Sequence, residues 1–121
     1  MATSTAASKI ATPKPVPVPN GDFYQLIELL TPAEKAVVKK VRTYMETKVQ
    51  PIINKYWADD AFPFELLPTF KDLGVGGLGF KGYGCAGGSQ KLFGFVAMEL
   101  ACVDASICTF FTVPKVNEHA A

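Results

Sequence analysis

Gly74-Val75-Gly76-Gly77-Leu78-Gly79-Phe80-Lys81-Gly82-Tyr83-Gly84-Cys85-Ala86-Gly87-Gly88 holds eight of the chain's ten glycines and lies between two amphipathic patterns. Glycine at that density marks backbone conformations or close approaches that a Cβ would forbid. The first six residues match G-x-G-x-x-G, the spacing of a dinucleotide-binding turn that leads from a strand into a helix and seats a pyrophosphate on the helix N-terminus. The flanking sequence refuses that reading. The residues before Gly74 carry a helical period, and the next helix start, Ser89, comes ten residues after Gly79. A phosphate loop is excluded as well, because no Gly-Lys-Ser/Thr closes the run. The stretch reads instead as a helix-to-helix connector that lets two helices and a partner domain come close. The fold class that follows is all-α, a small helical bundle.

Upstream, Pro63 to Leu73 reads as a helix with Phe64, Leu67, Phe70 and Leu73 facing inward and Gly74 ending it. Before it, Thr31-Pro32-Ala33-Glu34 places threonine at N-cap, proline at N1 and glutamate at N3, a capping-box start. Val37, Val38, Val41, Tyr44, Met45, Val49, Ile52, Ile53 and Tyr56 then fall on one broad face, and Pro51 predicts a kink. Lys39, Lys40 and Arg42 are assigned to a solvated face. Asp22 to Leu30 predicts a short helical turn packed down on the domain. Downstream, Ser89 caps a helix from Gln90 to Ala101 that is apolar almost all round and therefore central. Asp104 caps a last helix, Ala105 to Val113, although SICTFFTV has the β-branched and aromatic content of a strand. Pro114 is expected to end that element, and 114–121 reads as a patternless tail.

At 121 residues the chain supports one small domain. Residues 1–21 lack acids and aromatics, and PKPVPVP favours polyproline II, so this segment reads as a disordered or tethering arm. A transit peptide is the alternative, since the segment lacks acids, but it also lacks arginine and an amphipathic period, and it has no apolar segment of a secretory signal. A net charge of +1 gives no electrostatic reason to expect nucleic acid or an anionic membrane. No apolar run reaches the ~20 residues of a membrane span. Cys85, Cys102 and Cys108 are odd in number and form no C-x-x-C pair, which points to a reducing compartment and no metal site. Glu99 could act as a general base with a raised pKa, but it reads better as a structural carboxylate whose partner the sequence does not reveal. His119 stands alone in the tail. No nucleophile–base or metal-spaced cluster exists, so the catalytic expectation is none.

Three stretches, LLTPAEKAVVKKVRTYMETKVQPI (29–52), FPFELLPTFKDLGVGGLGFKGYGCAGG (62–88) and ELACVDAS (99–106), together resemble the N-terminal α-helical domain of the acyl-CoA dehydrogenase and acyl-CoA oxidase family. KGYGCAG after DLGVGG looks like its glutaryl-CoA dehydrogenase and short-chain acyl-CoA oxidase branch. The resemblance covers residues 22–113. It implies a flavoenzyme with a middle β domain and a C-terminal helical bundle, which together hold FAD and supply the glutamate base for α,β-dehydrogenation of acyl-CoA thioesters in fatty-acid or amino-acid catabolism. Neither domain is among these 121 residues, so the fragment is expected to be inactive alone. By resemblance, Cys108, Thr109 and Thr112 line the acyl pocket. In the glutaryl-CoA branch an arginine that pairs with a distal carboxylate stands at Cys108, so a short or medium monocarboxylic chain is the expected substrate.

Two departures stand out. Cys102 replaces the usual arginine of E-L-x-R-x-D, which leaves Glu99 and Asp104 in need of partners, and PKVNEHAA departs from the family, as a truncation or frameshift would make it. The alternative reading is a non-catalytic helical interaction module that associates with full-length acyl-CoA dehydrogenase subunits. The expected location is cytoplasmic, with a mitochondrial or peroxisomal matrix as the alternative.

Overall fold

The start signal at Thr31 forms a complete capping box. The Thr31 hydroxyl accepts from the Glu34 amide at 3.3 Å, and the Glu34 carboxylate accepts from the Thr31 amide at 2.9 Å. In the computed structural model, which describes residues 20–82, 85 and 87–119, this box opens α1 (Pro32–Tyr44). The expected arm, apart from Asn20 and Gly21, lies outside the described residues.

The kink expected at Pro51 takes the form of a π-helical turn, Met45–Val49, between α1 and α2 (Gln50–Ala58). Proline has no N–H for the carbonyl four residues back. Just ahead of it, the Gln50 amide reaches five residues back to the Met45 carbonyl, and the Thr47 hydroxyl donates to the Thr43 carbonyl at 2.7 Å. The widened turn keeps Val38, Val41, Tyr44, Met45, Val49 and Ile53 on one buried stripe.

The next helix departs from its expected register. Phe64–Leu66 is a 3₁₀ turn, followed by α3 (Leu67–Lys71). Phe64 is exposed and Leu67 half-buried, whereas Leu66, Phe70 and Leu73 are buried. The tighter turn after the buried Pro63 rotates Leu66, not Phe64, toward the core. Gly74, at φ +68°, then reverses the chain.

The segment before α1 also differs. Its 3₁₀ turn, Leu26–Leu29, forms where expected, but Phe23, Tyr24, Leu26 and Leu29 remain exposed and only Leu30 is buried. The Asp22 carboxylate accepts from the Leu26 and Ile27 amides, both at 2.8 Å, and Gln25 is left-handed at φ 55°. That tight turn leaves the Phe23 and Tyr24 rings packed edge-on to each other at 5.3 Å instead of on the domain.

Ser89 caps α4 (Gln90–Ala101), which packs against both α1 and α5 (Ala105–His119). Its inner residues Leu92, Val96, Glu99 and Leu100 are buried, while Gly94 is exposed and Phe95 and Met98 are half-buried. Apolar content all round therefore does not bury the helix all round. Asp104 Oδ1 accepts from the Ile107 amide at 2.8 Å, and the cap decides for helix over strand in SICTFFTV. No strand occurs among the described residues.

The helix does not stop at Pro114 as expected. Proline's fixed φ is itself helical, and what it forbids is the bond to the Phe110 carbonyl. Phe110 and Val113 are both exposed, so that turn is on the solvent side, where water can take the carbonyl.

Candidate functional site

The glycine stretch folds on itself. A Cβ on Gly77, at φ +74°, would meet Cys85 Sγ at 2.8 Å, and one on Gly88 would meet Leu78 Cδ2 at 2.8 Å. Val75 and Leu78 are buried beneath it. At the N-terminus of α4 the Ser89 hydroxyl accepts from the Leu92 amide at 3.1 Å and donates to Glu34 Oε1 at 2.5 Å. The Ser89 hydroxyl, then the Thr31 amide, hold the Glu34 carboxyl below its usual range. The Glu34 carboxylate of α1 thus lies beside the N-cap of α4 and ties the two helix starts together. The stretch joins α3 to α4, so the dinucleotide spacing is a helix-to-helix connector.

The residues assigned to the acyl pocket lie on α5, and the structure brings them into one strip. Cys108 is half-buried, with its thiol 3.5 Å from the Ala97 carbonyl of α4, and burial pushes its pKa up. Thr112, one turn on and half-buried, donates to the carbonyls of Cys108 (3.0 Å) and Thr109 (3.3 Å). Thr109 is exposed and donates to the Ala105 carbonyl at 2.9 Å. The three side chains thus run from the α4 seam outward. Both hydroxyl protons are used inside the helix and the thiol is neutral, so the strip suits contact with an uncharged chain better than acid–base work. On the other flank of α5, Phe110 meets Phe62 and Phe70 with ring centroids 5.8 and 6.2 Å away. A groove of ≈ 330 Å³ lies there between Leu67, Phe70, Gly76 and Phe110.

Two long-range contacts hold these helices. Glu99 of α4 receives a two-pronged bond from Arg42 of α1, Nε to Oε2 at 2.7 Å and Nη2 to Oε1 at 2.8 Å. This corrects the solvated-face assignment of Arg42. It also supplies the partner that Cys102 left in question, and it ties α4 to α1 through Glu99. The sign available in the sequence was position, since Arg42 borders the buried Val38 and Val41 stripe. Asp104, 3% exposed, caps α5 with one oxygen and accepts from the Trp57 indole of α2 with the other, at 3.1 Å. Lys40 is also no simple solvated charge: its ammonium donates to the carbonyls of Asp72 (3.1 Å) and Leu73 (3.3 Å) at the end of α3. Among the described residues every buried side-chain nitrogen and oxygen has a partner.

The family model described as acyl-CoA dehydrogenase, N-terminal domain, matches residues 31–118, well over half of the chain. The chain belongs to the acyl-CoA dehydrogenase family. The acyl-CoA dehydrogenase match starts at the α1 N-cap, Thr31, and includes every helix from α1 through α5 as far as residue 118. It passes Pro114, where the sequence alone suggested a change to foreign tail. Among the described residues no group of three or more His, Cys, Asp or Glu could hold a metal ion, and no helix is long and apolar enough to cross a membrane.

Proposed function

We propose that the chain is the N-terminal helical part of an FAD-dependent acyl-CoA dehydrogenase or oxidase, and that α5 forms one wall of its acyl pocket. The observation that carries this reading is the strip of Cys108, Thr109 and Thr112, anchored on α4 and without a free charge or an uncommitted O–H donor. A neutral, half-buried Cys108 offers nothing to a distal carboxylate, which favours short or medium monocarboxylic acyl-CoA thioesters. FAD and the catalytic glutamate would come from further domains, and these 121 residues would not turn over substrate alone. The reaction of the complete enzyme would be α,β-dehydrogenation in fatty-acid or amino-acid catabolism. Free thiols at Cys85, Cys102 and Cys108 fit a reducing location, cytoplasm or an organellar matrix.

The purified chain, incubated with FAD and desalted, tests the division of labour. The expected product shows no visible flavin absorbance, and stoichiometric bound FAD would refute it. A second reading, a helical module that docks onto full-length acyl-CoA dehydrogenase subunits, draws on the exposed Phe23, Tyr24, Leu29, Trp57, Phe64 and Phe110. Size-exclusion chromatography at low concentration addresses it, and a clean monomer that ignores such subunits would end it.

A further inference from the structure

Trp57 has no evident packing role, because 72% of it is exposed at the end of α2. Its indole N–H nevertheless donates to Asp104 Oδ2, across 47 residues of sequence. Asp104 is 3% exposed, and its other oxygen holds the Ile107 amide in the first turn of α5. One buried carboxylate thus joins the end of α2 to the start of α5. Both of its oxygens must accept, which an aspartate can do and an asparagine cannot, since the amide nitrogen would face the indole N–H with a second donor. The same helix carries Cys108 one turn after the cap and Thr112 two turns after it.

We propose that Trp57 is a positioning residue for the pocket strip. Acting through Asp104, it fixes the first turn of α5 and thereby the depth at which Cys108 and Thr112 sit against α4. This rests on the reading of α5 as the acyl-pocket wall for its functional meaning, but the link from Trp57 to Cys108 is measurable without substrate. Phe62 supports the same geometry from the segment after α2, through its ring contact with Phe110 at 5.8 Å.

The test uses the full chain with Cys85→Ser and Cys102→Ser, so that Cys108 is the sole thiol, and follows its rate of reaction with a small disulfide reagent. Trp57→Phe keeps a ring and removes the N–H. It is expected to raise the Cys108 rate and to lower amide-exchange protection at Ile107 by about tenfold or more, as loss of a hydrogen bond to a charged acceptor would. Protection at Val96 in α4 should remain, which separates local release of α5 from general unfolding. Asp104→Asn should reproduce the effect, and the double variant should add little. Thr31→Ala, which weakens the cap of α1, should leave Cys108 unchanged. An unaltered Cys108 rate in Trp57→Phe, or additive effects in the double variant, would overturn the proposal. Failure of the acyl-pocket reading would leave these results intact and appear only as an absence of acyl-CoA effects.

Discussion

Replacing Arg42 by methionine removes the charge that answers Glu99 while keeping much of the aliphatic stem. The Glu99 side chain is 4% exposed and that of Arg42 29%, so the loss leaves a buried carboxylate with a partner site that water can partly reach. Breaking a buried ion pair costs about 3–5 kcal/mol, and the partial exposure of Arg42 places this one near the lower end, at about 3 kcal/mol. At about 4–8 °C per kcal/mol for a domain of this size, the melting temperature should fall by about 12–24 °C. Urea unfolding followed by far-ultraviolet circular dichroism at neutral pH gives the free energy. Lys39→Met, on the exposed side of α1, serves as the control, with an expected change within about 0.5 kcal/mol. Arg42→Met with Glu99→Met should recover most of the loss, because the stranded charge is gone. Arg42→Lys should fall between, since a lysine cannot reproduce the two-pronged contact. A loss below about 1 kcal/mol for Arg42→Met would place the pair among ordinary surface ion pairs and refute the reasoning.

Other expectations follow from single contacts. Ser89→Ala removes the cap of α4 and should cost about 1 kcal/mol in the same unfolding experiment. Glu34 has its folded pKa lowered from 4.5, so its contribution is present above that value and is lost as pH falls through the folded pKa; the stability gap between wild type and Glu34→Gln should therefore narrow on acidification below about pH 4.5. Gly77→Ala meets both a left-handed φ of +74° and Cys85 Sγ at 2.8 Å and should destabilise, whereas Gly94→Ala, in open space on α4, should stabilise by about 0.5–1 kcal/mol.

What the sequence disclosed about the fold were the features that depend on near neighbours. Thr31 with Glu34, Ser89 with Leu92 and Asp104 with Ile107 each join residues three apart, and all three caps are in place. The glycine spacing was read correctly because the test was local too: a helix, not a strand, precedes it. Contacts set by helix crossing were out of reach. Arg42–Glu99, Glu34–Ser89 and Trp57–Asp104 span 57, 55 and 47 residues, and no periodicity orders such pairs. Phe64 and Leu66 traded places because a 3₁₀ turn advances the chain differently from the α-helical period assumed for it. Pro114 misled for a related reason: a proline is only a statistical stop, and its cost depends on where the lost carbonyl points. The proposed pocket role of Cys108, Thr109 and Thr112 rests on family resemblance, since one cysteine and two threonines carry no chemical pattern of their own.

We infer that α5 of this chain completes an acyl pocket whose flavin and base lie in other domains. It is tested most directly by placing the helical domain on the middle and C-terminal domains of an acyl-CoA dehydrogenase, loading the chimera with FAD, and adding saturated acyl-CoA thioesters anaerobically. Short or medium monocarboxylic thioesters are expected to bleach the flavin band, with dicarboxylic ones gaining only after Cys108→Arg. A folded, FAD-loaded chimera that no saturated acyl-CoA bleaches would contradict it.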